Sequence, residues 1–183
     1  MNKTQKKIAA GLEQAFAENG FTELGVDSLR DASQVSLRTL YKYCPSKEDM
    51  ILMALEHRHA RYLAYVFEDL PANNEHVWNV IFDRVGLWMG ESVSQGCLFH
   101  SAVASYPHSE PIRMMLEHHK KEVADRMAET TELVDIRDHL LLIHEGVVQS
   151  WTILGLQAVV NAKILLHCLL KSHSAVRDNE ALI

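Results

Sequence analysis

Four prolines and eight glycines are all that this chain of 183 residues offers for turns. A sandwich or barrel of short strands needs turn signals at short, regular spacing, so little room is left for an all-β fold. Cysteine is also scarce. Cys44, Cys97 and Cys168 are odd in number and far apart, which outlines no disulfide framework and suits a reducing cytoplasm. No apolar run is long enough for a membrane span of about 20 residues, because the most apolar stretch, 140–154, is broken by His144, Glu145 and Gln149. Lys3, Lys6 and Lys7 are followed by Gly11, Glu13 and Gln14 rather than by an apolar segment, so no signal peptide is read. Nothing resembles a nucleophile–base pair, a phosphate loop or a paired-carboxylate site. Catalysis is therefore not expected, nor is a cofactor.

Apolar residues make up 48% of the chain, enough for a sizeable core. The net charge of −6 is unevenly spread. Residues 1–47 hold seven Lys or Arg and five acids, a net of +2, and the rest carries −8. A mildly basic head on an acidic body suits a protein that touches phosphate with its head alone.

Helical periodicity runs through the chain. Ile8, Leu12, Ala15 and Phe16 share one helix face, and Asn19-Gly20 stops that helix, with Phe21 free to fold back on its end. Val26–Ser33 reads as a short second helix with Asp27 near its N-terminus. Ser36 is a good N-cap, and Val35 and Leu40 form a hydrophobic staple around it. A third helix therefore runs from Leu37 to about Tyr43, ahead of Pro45. Ser46 caps a fourth, with Asp49 at the capping-box position, extending to about Phe67. After a break at 71–74, helices are expected at about 75–93, 97–105, from Ser109 onward, 136–154 and 156–172, with a hinge at Gly155 and a frayed tail from Ser174. The helix after Ser109 carries Ile112, Leu116, His119, Val123 and Met127 on one stripe.

Two short helices joined by Ser33-Gln34-Val35 and backed by a first helix make a helix-turn-helix, whose last helix is small enough to enter a major groove. Its outward residues are Leu37, Arg38, Thr39, Lys42 and Tyr43, following the Ser36 cap. Arg38 suits a guanine edge. Thr39, Tyr41, Lys42, Tyr43 and Lys47 suit phosphates, Lys47 at the start of the next helix.

Ala15 to Phe21, Val35-Ser36, Thr39 to Tyr43 and Pro45 to Glu48 together resemble the DNA-binding head of the TetR (tetracycline-repressor-like) family over about residues 8–55. Gly96 to Phe99, Tyr106-Pro107 and Pro111 to Arg113 resemble one branch of that family more loosely. The resemblance implies an all-α fold of about nine helices, with a three-helix helix-turn-helix domain at 1–47 and a ligand-binding and dimerising bundle at 48–183, joined by the helix at 46–67. It implies a homodimer on a near-palindromic double-stranded operator, released by a small-molecule effector. The sequence departs from the family at Gln34 (often Gly), at Cys44 (usually a bulky aromatic) and at Leu37-Arg38 (often Lys-Gly), the last bearing on base preference.

In the body, the last two helices are apolar on two faces and need cover on two sides. The same hairpin of a second chain provides the second cover, with Leu140, Val147, Trp151, Val160, Leu165 and Leu169 at the interface. His119 and His144 fall on apolar stripes and, with Trp88, Phe99 and His100, are the candidate effector contacts. Eleven histidines raise the question of a metal; His118 and Glu122 lie one helical turn apart, and His57 and His59 are near neighbours. No HExxH or CxxC spacing is present, and no metal site is expected. Cys97 follows Gly96 at a helix start, where a thiolate is favoured, so a redox-sensing regulator is one alternative. A small helical enzyme or metal-binding protein is another, and a DNA-binding architectural protein without a ligand a third.

Overall fold

The computed structural model describes residues 1–71, 77–92, 96–131 and 133–180, with side chains described as far as Ser172 except that of Ser92. Among these residues there are nine α-helices, one short 3-10 turn at Val134–Ile136 and no strand. The helices are α1 (Lys3–Asn19), α2 (Val26–Ser33), α3 (Leu37–Tyr43), α4 (Lys47–Phe67), α5 (Val77–Ser92), α6 (Leu98–Ser105), α7 (Glu110–Thr131), α8 (Arg137–Leu154) and α9 (Leu156–Glu180). The all-α expectation holds.

Local chemistry accounts for several helix ends. Asn2 and Gln5 form a capping box at the start of α1, and Gly20 ends it with φ 74°. Phe21 folds back to stack on Phe16, with ring centroids 4.8 Å apart. The Ser36 hydroxyl accepts the Thr39 amide at 3.1 Å and starts α3. Ser46 and Asp49 form the expected capping box of α4, Ser46 N donating to the Asp49 carboxylate at 2.9 Å and Asp49 N to the Ser46 hydroxyl at 3.1 Å. Ser109 accepts from Ile112 N at 3.3 Å, which lets Pro111 sit in the first turn of α7. Gly155, at φ 52°, separates α8 from α9.

One element differs from expectation. The α9 helix passes Ser172 and the expected fraying point and continues to Glu180, since neither Gly nor Pro occurs between Leu156 and Glu180 to stop it. Residues 72–76 and 93–95, which carry most of one expected break and both expected ends of the fifth helix, lie outside the described residues.

The chain forms two compact units, Met1–Glu68 with Ser92–Glu122, and Asp69–Glu91 with Val123–Ile183. The 47/48 position lies inside the first of them. One buried cluster carries Ile8, Leu12 and Phe16 of α1, Leu29, Leu40, Met50, Ile51 and Leu55, and also Leu98, Phe99, Ala102 and Ile112 from α6 and α7. Apolar residues far along the chain thus complete the core around the N-terminal helices.

Candidate functional site

The N-terminal helices are held together by close backbone approach as well as by side chains. A Cβ on Gly11 of α1 would lie 2.3 Å from the carbonyl oxygen of Ala32 and 2.8 Å from Ser33 Cα, so only glycine permits this approach of α1 to the end of α2. At the turn that follows, Gln34 has φ 52° and ψ 45°, the left-handed conformation that glycine adopts without steric cost. Lys7 Nζ donates to the Gln34 carbonyl at 3.1 Å. The departure at Gln34 therefore keeps the backbone geometry and places a side chain in it.

Leu40 is fully buried and anchors α3 in the core. The opposite side of the helix faces solvent. Ser36, Leu37, Arg38, Tyr41 and Lys42 are exposed, and Thr39, Tyr43 and Lys47 are half-buried. Lys42 Nζ lies 5.6 Å above the Tyr43 ring, and the Thr39 and Ser36 hydroxyls are 2.8 Å apart. All eight residues expected to meet DNA thus lie on one short helix and its flanks. Arg30, by contrast, is engaged by its own helix, at 2.9 Å from Asp27 and 2.8 Å from Asp31.

Behind this surface, Glu13 of α1 is 2% exposed and faces three α4 residues. Arg58 donates to Glu13 Oε1 at 3.2 Å, Arg61 donates to the same oxygen at 2.8 Å, and His57 Nδ1 lies 2.6 Å from Oε2. Burial lowers the Arg58 guanidinium's pKa, and the Glu13 charge offsets only part of that, so the net direction is downward.

A second polar group joins α4 to α7. His59 Nδ1 is 3.0 Å from His119 Nδ1, and His59 Nε2 is 3.1 Å from Glu122 Oε2. His118 Nε2 lies 3.5 Å from the same carboxylate oxygen. His119 is buried, stacked face to face on Phe99 at 3.9 Å and met edge-on by Tyr62 at 5.4 Å. Nearby, Lys120 Nζ is 3.7 Å from Cys97 Sγ. Burial raises the Cys97 thiol's pKa, but the His100 hydrogen bond and the Lys120 charge outweigh it, so the net direction is downward.

Of the five candidate effector contacts, Phe99, His100 and His119 belong to the first unit, and Trp88 and His144 to the second. Phe99 and His119 meet directly. Trp88 and His144 are buried, and His144 Nδ1 is 3.0 Å from Glu145 Oε1.

The expected dimer residues divide differently from the sequence pattern. Leu140 and Val147 are buried in the single chain, so they offer a second copy almost no accessible area, contrary to the expectation. A helix apolar on two faces buries one of them against its own subunit, and periodicity does not say which. Trp151 and Leu169 are half-buried, while Val160 and Leu165 are exposed as expected. The exposed apolar face of α8 and α9 is carried also by Leu156 and Ile164, which belong to the apolar pattern of the last helix, and by Leu142 and Ile153, which the sequence reading passed over. A groove of about 470 Å³ runs along this face, with Val147 at its lining beside Leu142, Leu154, Leu165 and Leu169.

A helix-turn-helix built on a buried first helix and followed by a set of longer helices defines the fold of TetR-family transcriptional regulators. Solved structures of that class superpose on the chain along most of its length. A TetR-family transcriptional regulator from Streptomyces coelicolor matches with a TM-score of 0.74 at 20% identity, over 91% of this chain and 86% of that one. The reduced form of NemR from Escherichia coli matches with a TM-score of 0.76 at 20% identity, over 90% and 96%. The fatty acid degradation regulator FadR from Bacillus halodurans matches with a TM-score of 0.65 at 15% identity, over 93% and 96%. No protein-family model matches the sequence, and no curated protein matches it. No helix among the described residues is long and apolar enough to cross a membrane.

Proposed function

We propose that this chain is a homodimeric, ligand-responsive transcriptional repressor that reads a palindromic operator through α3. The observation that carries the reading is α3 itself, a seven-residue helix locked into the core by Leu40 with Arg38 and Lys42 exposed on its outer side. Arg38 reads a base edge, and Lys42, Lys47, Thr39, Tyr41 and Tyr43 bind phosphates. The uneven charge of the chain supports the same assignment, since only the N-terminal part is net basic. The S. coelicolor protein of the same fold is described as a transcriptional regulator, and FadR of B. halodurans as a regulator of fatty acid degradation.

A second copy of the chain covers the exposed apolar face of α8 and α9, giving the two-fold symmetry that a palindrome requires. The effector is a small, largely apolar organic molecule that contacts some of Trp88, Phe99, His100, His119 and His144. It releases DNA by favouring a form of the dimer whose reading heads miss the operator spacing of about 34 Å. Selection from random oligonucleotides tests the DNA reading, and recovery of a palindromic site is the expected result. Recovery of no preferred site would overturn it. Linkage tests the control: operator DNA must weaken effector binding by the factor by which effector weakens operator binding. Equal effector affinity with and without operator would rule that mechanism out.

One observation favours a second form of control. The Cys97 thiol lies 3.7 Å from a lysine ammonium and is drawn toward the thiolate by His100 and Lys120. In this reading oxidation or alkylation of Cys97 replaces the organic effector. Release of operator by peroxide in the wild type, and its loss in Cys97→Ser, is the result that would select it.

A further inference from the structure

We propose that His59, His118 and Glu122 form a binding site for one divalent transition-metal ion of the zinc class. The three offer ligand atoms that all lie within 4.8 Å of one another. Two of the separations are 3.1 Å and 3.5 Å, from Glu122 Oε2 to His59 Nε2 and to His118 Nε2. Donors about 2.0–2.1 Å from a tetrahedral ion sit about 3.3 Å apart, so the two separations to Glu122 already fit, and the one between the histidines, within 4.8 Å, closes by up to about 1.5 Å. Two imidazoles and one carboxylate suit zinc and its neighbours, while magnesium and calcium prefer oxygen alone. Three protein ligands leave a fourth position open for water or an exchangeable ligand.

The surroundings of His59 strengthen the case. A ligating histidine usually has its other ring nitrogen held by a partner that fixes its orientation. Here His119 Nδ1 holds His59 Nδ1 at 3.0 Å, and His119 is itself clamped between Phe99 and Tyr62. One proton serves the contact between the two Nδ1 atoms. When His59 supplies it, His59 Nε2 presents a lone pair toward Glu122, the arrangement a cation completes. When His119 supplies it, His59 Nε2 carries a proton toward Glu122, and metal binding requires both rings to change tautomer: the Nε2 proton leaves to solvent, the shared proton moves onto His59 Nδ1, and His119 takes up a proton on its other nitrogen, so that the metal meets a neutral imidazole. Entry is open, because His118 is exposed on α7 while His59 is buried on α4. The ion would clamp α4, the helix that follows α3, to α7.

This goes beyond the repressor reading and does not depend on it, since the test uses no DNA. The full-length protein, stripped with a chelator, is titrated calorimetrically with ZnCl2 and, in parallel, followed by visible absorption with CoCl2. The expected result is one ion per chain, with His118→Ala and Glu122→Gln each weakening binding by about tenfold or more. His108→Ala, an exposed histidine outside the cluster, is expected to bind like the wild type. His118→Ala replaces an exposed side chain and keeps the fold, which circular dichroism checks. Absence of binding, a stoichiometry other than one per chain, or equal affinity in His118→Ala and wild type would overturn the site. Magnesium binding as tight as zinc binding would overturn the class of ion.

Discussion

Arg58 donates to Glu13 across 3.2 Å, and both side chains are almost fully buried, tying α1 to α4 through a charge pair inside the first unit. Replacing a whole buried pair by apolar groups is often harmless, but removing one partner leaves a buried charge uncompensated. Glu13→Ala is therefore expected to destabilise the protein by about 3–5 kcal/mol, and Glu13→Gln by less, because the amide still accepts a hydrogen bond. Urea unfolding of the two variants beside the wild type measures this. A change within experimental error for Glu13→Ala would mean that Arg58 finds another partner.

Two backbone positions in the helix-turn-helix should respond in opposite directions. At Gly11 an added methyl meets the Ala32 carbonyl, so Gly11→Ala must push α1 from α2 and lose stability, despite alanine's better helix propensity. At Gln34 the left-handed conformation costs a non-glycine residue about 1–2 kcal/mol, and glycine's extra chain entropy recovers only about 0.5–1 of that. Gln34→Gly is thus expected to be neutral or to stabilise by up to about 1.5 kcal/mol. Thermal unfolding of the two variants gives the signs.

DNA binding should separate Arg38 from Lys47. Arg38→Ala is expected to relax preference at one base position, at a cost of about 1–3 kcal/mol there. Lys47→Ala should weaken all sequences alike and lower the salt slope by about one. Fluorescence anisotropy on a panel of operator variants at several salt concentrations reads both effects. Identical behaviour of the two mutants would contradict the division between base and backbone contacts.

Dimerisation should fail when charge is placed on the exposed apolar face. Ile164 and Leu165 are 56% and 58% exposed in the single chain, so Ile164→Glu or Leu165→Glu leaves the subunit's own core intact. Within the proposed interface an unpaired carboxylate costs several kcal/mol. Light scattering is expected to show monomers with native helicity and weakened operator affinity. A dimer that persists in both variants would place the interface elsewhere.

The three thiols should differ in reactivity and in their effect on stability. Cys44 is fully buried and burial pushes its pKa up to about 11, with Asp49 and Glu56 adding to the shift, so it resists iodoacetamide in the folded protein. Cys168 is exposed and reacts as an ordinary thiol, while Cys97 should stay reactive to a lower pH. The raised Cys44 pKa also predicts a pH effect. From pH 9, where an unfolded cysteine ionises, to about 11, the folded state keeps its proton and loses relative stability, by up to about 3 kcal/mol. The stability gap between wild type and Cys44→Ala is expected to shift in this window and to be constant below it, which denaturant titrations at pH 8 and 10.5 compare.

The ends of α2, α3 and α4 were legible in the sequence because they are decided locally. Ser36 and Ser46 bond amides three residues ahead, and Pro45 restrains its neighbour, so a few residues contain the whole cause. The exposed, basic side of α3 was legible for the same reason, since in a helix this short one buried leucine orients every other side chain. Gly11 read as a mere interruption, because the need for glycine comes from a carbonyl some twenty residues along the chain. The dimer stripe was placed partly on Leu140 and Val147 because periodicity marks apolar faces without saying which one the subunit keeps for its own core. The meeting of His59 with Glu122 was not legible because the two lie 63 residues apart, a separation no local motif spans. Local sequence thus determined the helices and the exposed face of α3. Only tertiary packing, which brings distant side chains within hydrogen-bonding reach, decided which apolar face stays open, which glycine is obligatory and which histidines meet.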